Sequence, residues 1–198
     1  MNMETLEKRK AHRRAFPQKA TPPRFKSVET FRDWHPEDGY KYEWINGRIE
    51  RTEGMKENEV LLIRNLTRAF IRTAAFQQGG ELVSEVDVMI TPDQLRRPDF
   101  AYLTLDQVRR SVEGRMGIPS FVIEVISPND RIKYLEEKLQ EYFDAGIQVV
   151  WHIFPNTRQL WIYSDPLHHS VHSGSDVCSA APALPDFAMT VEDMFRMP

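Results

Sequence analysis

The sequence predicts an α/β fold in which helices flank a mixed central β-sheet, with β-hairpins towards both ends of the chain. Three observations carry that expectation. The run FVIEVI at residues 121–126 is almost continuously apolar, as a central strand buried on both faces requires. Two long stretches, residues 57–76 and 130–146, repeat apolar side chains at helical spacing. Turn signals at Asn46-Gly47 and Pro155-Asn156 join short apolar runs as hairpins, which a strictly alternating strand-helix fold would not do. No glycine-rich loop follows any predicted strand, so a doubly wound dinucleotide fold is disfavoured.

The elements follow in order. Ser27 is the N-cap of a short helix that Pro36 stops, with Phe31 and Trp34 on one face. YKYEWINGRIE reads as a hairpin, because Asn46-Gly47 supplies the two positive-φ positions of a type I′ turn. The longest helix spans 57–76, with Val60, Ile63, Leu66, Phe70, Ile71 and Ala74 as its stripe and Gly79-Gly80 as its stop. Strands follow at 82–84, 87–90, 100–103 and 121–126. Pro128-Asn129-Asp130 opens a second helix with Ile132, Leu135, Leu139, Tyr142 and Phe143 as its stripe, closed by Gly146. VVWHIF and QLWIY form a further hairpin, and Thr190 with Asp193 caps a short last helix.

At 198 residues, 41% of them hydrophobic, the chain can bury roughly 70% of the surface its unfolded form exposes, so it needs no disulfide or structural metal. Its lone Cys178 and the lack of an apolar N-terminal run point to a cytoplasmic protein, and no stretch reaches the ~18 apolar residues of a membrane span. The net charge of −3 is uneven. Residues 1–26 hold eight lysines and arginines against two glutamates, a charge of +6, which leaves −9 on the rest. Residues 1–26 therefore read as a basic N-terminal arm, either a solubilising tail or a phosphate contact, and 27–198 as a single domain.

Glu124 is the clearest anomaly, a carboxylate inside the FVIEVI strand. Burying it ionised costs several kcal/mol unless it is paired or bound to a cation. Asp99, in RRPDFAYL, follows Pro98 at the start of another strand. Two carboxylates on neighbouring strand ends would make an all-oxygen site for Mg²⁺ or Mn²⁺, whereas separately they read as a salt bridge and a strand-entry aspartate. His168, His169 and His172 have no zinc-spaced partners and read as surface residues. Trp34, Trp44, Trp151 and Trp161 sit among apolar neighbours and read as core.

Together these pieces resemble the PD-(D/E)xK nuclease superfamily and, more narrowly, the Uma-type putative restriction endonuclease family. The resemblance rests on Tyr42-Glu43 with Asn46-Gly47, the helix from residue 57, Pro98-Asp99 and Glu124-Val125-Ile126-Ser127-Pro128. It continues through Lys138, Tyr142, Ala145-Gly146, Trp151 and Pro155. It covers residues 27–195 and implies a restriction-endonuclease-like core.

The resemblance also implies roles. Asp99 and Glu124 would hold a divalent cation, Mg²⁺ or Mn²⁺, with the backbone carbonyl of Val125 as third ligand. The superfamily lysine two residues after the Glu is replaced here by Ile126, and Lys138 matches the place on the following helix to which this family moves it. Lys138 lies about 90° from the centre of the apolar stripe and Lys133, the weaker candidate, about 130°. Either could equally be solvated among Glu136, Glu137 and Glu141. Glu43 matches a hairpin glutamate that can approach the metal or orient a water, and otherwise reads as an exposed, paired strand residue. Asn58 and Glu59 stand where the family often has a histidine.

The implied activity is metal-dependent hydrolysis of DNA phosphodiester bonds by a homodimer. Two alternatives stand beside it: a non-catalytic nucleic-acid-binding protein that keeps the nuclease fold, and a phosphodiesterase acting on another substrate.

Overall fold

The computed structural model describes residues 23–38, 40–53 and 59–198. The expected arm at 1–26 therefore lies almost wholly outside the described residues, as does the start of the long helix, including Asn58. The elements are α1 (Val28–Arg32), β1 (Tyr40–Ile45), β2 (Arg48–Glu53), α2 (Val60–Phe70), α3 (Ala74–Gln77), β3 (Glu81–Ser84), β4 (Val88–Thr91), β5 (Gln94–Arg96) and β6 (Phe100–Leu103). They continue with α4 (Leu105–Ser111), β7 (Phe121–Val125), α5 (Ile132–Asp144), β8 (Val149–Phe154), β9 (Gln159–Tyr163), β10 (His169–Ser173), β11 (Val177–Ala180), β12 (Leu184–Thr190) and α6 (Val191–Met194).

The central sheet has the order β10-β9-β8-β7-β6-β3 and is mixed, since β7 and β8 run parallel while their neighbours pair antiparallel. Its middle strand β7 is FVIEV, with Phe121, Val122 and Ile123 wholly buried, as the continuous apolar run demands. One face packs on α2, α6 and the β11-β12 hairpin through Leu66, Phe70, Trp151 and Phe187. The other face packs on α5 through Val122, Val150, Leu139 and Tyr142.

A second, four-stranded sheet has the order β2-β1-β5-β4. Its hairpin turns at Asn46 (φ 49°) and Gly47 (φ 78°), the left-handed pair that a two-residue turn requires. Alternation along β1 separates two faces. Tyr42 and Trp44 pack with Phe31 of α1 and Leu95 of β5 in a small aromatic cluster. Lys41 and Glu43 point the opposite way, and both are buried.

Several expectations are corrected. The helix predicted over 57–76 is two helices among the described residues. Thr73 ends the first by donating its hydroxyl to the Phe70 carbonyl at 2.7 Å, and caps the second by accepting from the Phe76 amide at 3.1 Å. The stripe predicted for α5 is displaced, because Ile132 is 74% exposed while Lys138 is 4% exposed. The helix is buried on two sides: Leu139 and Tyr142 join the central-sheet core, while Arg96 and Gln94 of the small sheet bond Glu141. An apolar periodicity sees only the first side. Strand β5, three residues long with a charged end, and α4, opened by a Thr104–Gln107 capping box, carry too little apolar pattern to be predicted.

Candidate active site

The strand register brings the two predicted carboxylates together. In the antiparallel β6-β7 pair, Phe100 faces Ile123 and Ala101 faces Val122, so one further step sets Asp99 opposite Glu124. Both lie on the α5 side of the sheet, in line with Ala101 and Val122. Like charges facing each other across strands repel, and burial strengthens the repulsion. Two buried cations from elsewhere in the chain, Lys41 and Lys138, offset it, and a third, Arg96, pairs with the neighbouring Glu43.

Lys41 of β1 meets Asp99 Oδ1 at 2.6 Å. Lys138 of α5 lies between Glu124 Oε1 at 2.8 Å and Glu43 Oε1 at 3.0 Å. Arg96 of β5 donates to Glu43 Oε2 at 3.0 Å and meets Glu141 Oε2 at 2.6 Å. Neutral and backbone donors complete the network. The Val125 amide donates to Asp99 Oδ2 at 2.6 Å, and Tyr142 donates to Glu124 Oε1 at 2.5 Å. Tyr134 donates to Glu43 Oε2, and the Arg97 amide to Glu43 Oε1 at 2.8 Å.

The charge states follow. Burial works against the Glu43 carboxylate, but Lys138, Arg96 and Lys41 outweigh it and hold its pKa far below the usual carboxylate range. Burial also opposes Lys138, and Glu124 and Glu43 more than compensate, so its ammonium is held charged. Glu124 is the exception. Burial pushes its pKa up, Lys138 pulls it down, and facing Asp99 adds to the upward push.

The four residues named from the sequence thus fall into one cluster with Val125. Glu43 is fully buried rather than an exposed strand residue. Lys133 is apart from the cluster: its side chain is 86% exposed and pairs with Glu137 on its own helix at 3.5 Å. Glu59 is half-buried at the head of α2. His168 and His169 are exposed at the sheet edge, and His169 stacks on Trp161. Sequence reasoning missed Lys41, Arg96, Tyr134 and Glu141. Only Lys41 left a trace, since Lys41 and Glu43 alternate with the aromatic Tyr42 and Trp44 and so share a face.

The donor set suits a divalent cation in its chemistry. Asp99 and Glu124 offer hard oxygens, and Glu124 Oε2 accepts no hydrogen bond from the described residues. Among those residues no group of three or more His, Cys, Asp or Glu side chains could hold a metal. Glu43 has no oxygen to spare, since its two oxygens serve four donors.

A mixed sheet with facing carboxylates at adjacent strand ends and a lysine from the next helix belongs to the restriction-endonuclease-like fold. In keeping with it, the chain is similar to the crystal structure of a putative nuclease belonging to DUF820 from Anabaena variabilis. The TM-score is 0.70 at 16% identity, covering 85% of this chain and 97% of that one. Residues 28–192 match Uma2, described as a putative restriction endonuclease family, and the chain belongs to that family. No curated protein matches it. No helix among the described residues is long and apolar enough to cross a membrane.

Proposed function

We propose that this chain is a cytoplasmic, divalent-metal-dependent endonuclease that hydrolyses DNA phosphodiester bonds. The supporting observation is the buried pair Asp99 and Glu124, facing each other across adjacent strands. A scaffold gains nothing from two facing buried carboxylates, because both are desolvated and they repel each other. A site that must receive a cation needs it.

In this reading Asp99, Glu124 and the Val125 carbonyl hold Mg²⁺ or Mn²⁺. The chemistry supplied by the bound cation is polarisation of a phosphoryl oxygen and a lowered pKa for water. Lys138 keeps its charge beside the reacting phosphate and offsets the negative charge that develops there. Glu43, fastened by Arg96, Tyr134 and the Arg97 amide, holds Lys138 in place. Residues 27–198 form the catalytic domain, and the +6 arm at 1–26 adds salt-dependent contact to phosphates that the acidic remainder would repel. A homodimer is part of the reading, since two sites cut two strands.

The test is plasmid cleavage in Mg²⁺ or Mn²⁺ by the parent, Asp99→Asn and Glu124→Gln, with circular dichroism as a check on fold. Cleavage should disappear in both variants; variants that cut as fast as the parent refute the site.

One observation favours a second reading, a non-catalytic nucleic-acid-binding protein: each of the two carboxylates already has a lysine partner. Intact DNA affinity with no Mg²⁺ or Mn²⁺ binding by calorimetry would support it.

A further inference from the structure

We infer that β10 is the surface through which two copies of this chain pair: its outer edge meets β10 of a second copy antiparallel, about a two-fold axis at Val171, and joins the two central sheets. The inference names the interface of the homodimer in the nuclease reading and rests on that reading only for what the dimer serves.

β10 closes one side of the central sheet, with β9 as its one paired neighbour among the described residues. An edge strand presents unpaired N–H and C=O groups, and chains that stay apart blunt such an edge with charges, proline, shortness or a bulge. The other edges of the two larger sheets are blunted in this way. β2 carries Arg48, Glu50 and Arg51. β4 loses register between Met89 and Thr91 and runs into Pro92, and β3 is four residues long and opens on Glu81. β10 has none of these devices. HSVHS holds no lysine, arginine, carboxylate or proline, and it pairs with β9 over five consecutive residues without a shift.

The backbone of β10 also faces the right way. The Ser173 amide donates to Asp176 Oδ2 at 2.9 Å, and its carbonyl accepts from the Asp176 amide at 3.0 Å, so both groups of Ser173 point away from β9. Residues of an antiparallel strand alternate between the two sides, so Val171, two residues earlier, also turns its N–H and C=O outward. The His169 ring lies back on Trp161 and Tyr163, 4.8 Å from each, and so does not fold over the edge. Val171 itself is 51% exposed.

The occupant is a second copy because the strand is complementary to itself. With Val171 opposite Val171 of the partner subunit, the two exchange both backbone hydrogen bonds. His169 then faces the partner's Ser173, and Ser170 faces the partner's His172. Each of these contacts occurs twice, as a two-fold interface requires. Ser170 Oγ and His172 Nε2 already bond each other along the strand at 2.7 Å, so hydroxyl and imidazole match as donor and acceptor. Across the interface they fall at a non-hydrogen-bonded backbone pair, where facing side chains come closest. Five residues from each copy bury less than the ~1,000 Å² of a durable complex, so the dimer is weak, with a dissociation constant of about 1–100 µM.

The test is sedimentation velocity of the full chain across that concentration range for the parent, Val171→Lys and Val177→Lys. Val177 is 66% exposed on β11 and outside the interface, so its lysine controls for added surface charge. The parent should dimerise, Val171→Lys should weaken the dimer at least about tenfold, and Val177→Lys should leave it unchanged. A parent that stays monomeric throughout, or a dimer that Val171→Lys leaves intact, overturns the inference. If Val171→Lys does not fold by circular dichroism, oxidation of Val171→Cys decides. Facing Cα atoms of a hydrogen-bonded pair lie about 5.5 Å apart, within disulfide reach, and the native Cys178 is buried. A covalent dimer absent from the parent supports the interface, and its absence overturns it. A monomeric parent that still cuts DNA overturns this inference and leaves the nuclease activity standing. A parent that pairs through Val171 but cuts no DNA supports the interface and overturns the nuclease reading.

Discussion

Arg96 and Glu43 form an ion pair at 3.0 Å between two different strands of the small sheet, with side-chain exposures of 1% and 0%. Neither strand packs on the other through this contact alone; the pair also ties both to α5, because Arg96 reaches Glu141 and Glu43 reaches Lys138. It is the link between the hairpin and the helix that carries the proposed lysine.

Removing one partner should therefore be costly. Arg96→Met leaves Glu43 buried with less positive charge and should destabilise the fold by about 3–5 kcal/mol, measured by urea denaturation. Arg96→Met combined with Glu43→Gln should lose less than the sum of the single losses, with a coupling of about 1–3 kcal/mol. Additive losses would mean that the two side chains act independently.

Tyr142 donates to Glu124 from full burial. Tyr142→Phe keeps the ring and removes only that donor, so it should cost about 1.5–3 kcal/mol, the range for a hydrogen bond to a charged group. The same denaturation experiment reads it, and a loss under ~0.5 kcal/mol would show that Glu124 does not depend on this hydroxyl.

His152 makes stability depend on pH. Burial above all, with Lys138 and His169 adding to it, lowers its pKa from the ordinary 6.5 to about 3. The unfolded chain takes up this proton near pH 6.5 and the folded chain only near 3, so the stability is fully present above 6.5 and is lost as pH falls between those values. Between pH 6.5 and 5 the loss should be about 1.6 kcal/mol, a window above the ordinary carboxylate range. In His152→Gln the pH slope over that window should flatten, whatever the variant's stability at pH 7; an unchanged slope would assign it to another group.

Thr73 stands where the expected single helix divides. It is 2% exposed and serves both helix ends. Thr73→Val should cost about 1–2 kcal/mol in thermal or urea unfolding, as loss of an N-cap does. A neutral outcome would place the break under the control of packing between Phe70 and Phe76, whose rings meet edge-on at 5.9 Å.

What could be read from the chain alone was local. Asn46-Gly47 marks a turn whatever surrounds it, because the backbone conformation belongs to those two residues. FVIEVI marks a central strand because no other place can absorb so much apolar surface, and Glu124 inside it marks a carboxylate in need of a partner. Which partner it has is a tertiary matter. Lys41, Arg96 and Lys138 come from β1, β5 and α5, and only the packing of the small sheet against α5 gathers them around Asp99, Glu124 and Glu43. Burial of Lys138 was likewise invisible to an apolar stripe, because the side of α5 facing the small sheet is lined by charges that become compatible with burial only once their opposites arrive. Periodicity reports apolar surface removed from water, whereas a buried ionic network is defined by distances between residues far apart in the chain, and those exist only in the folded molecule.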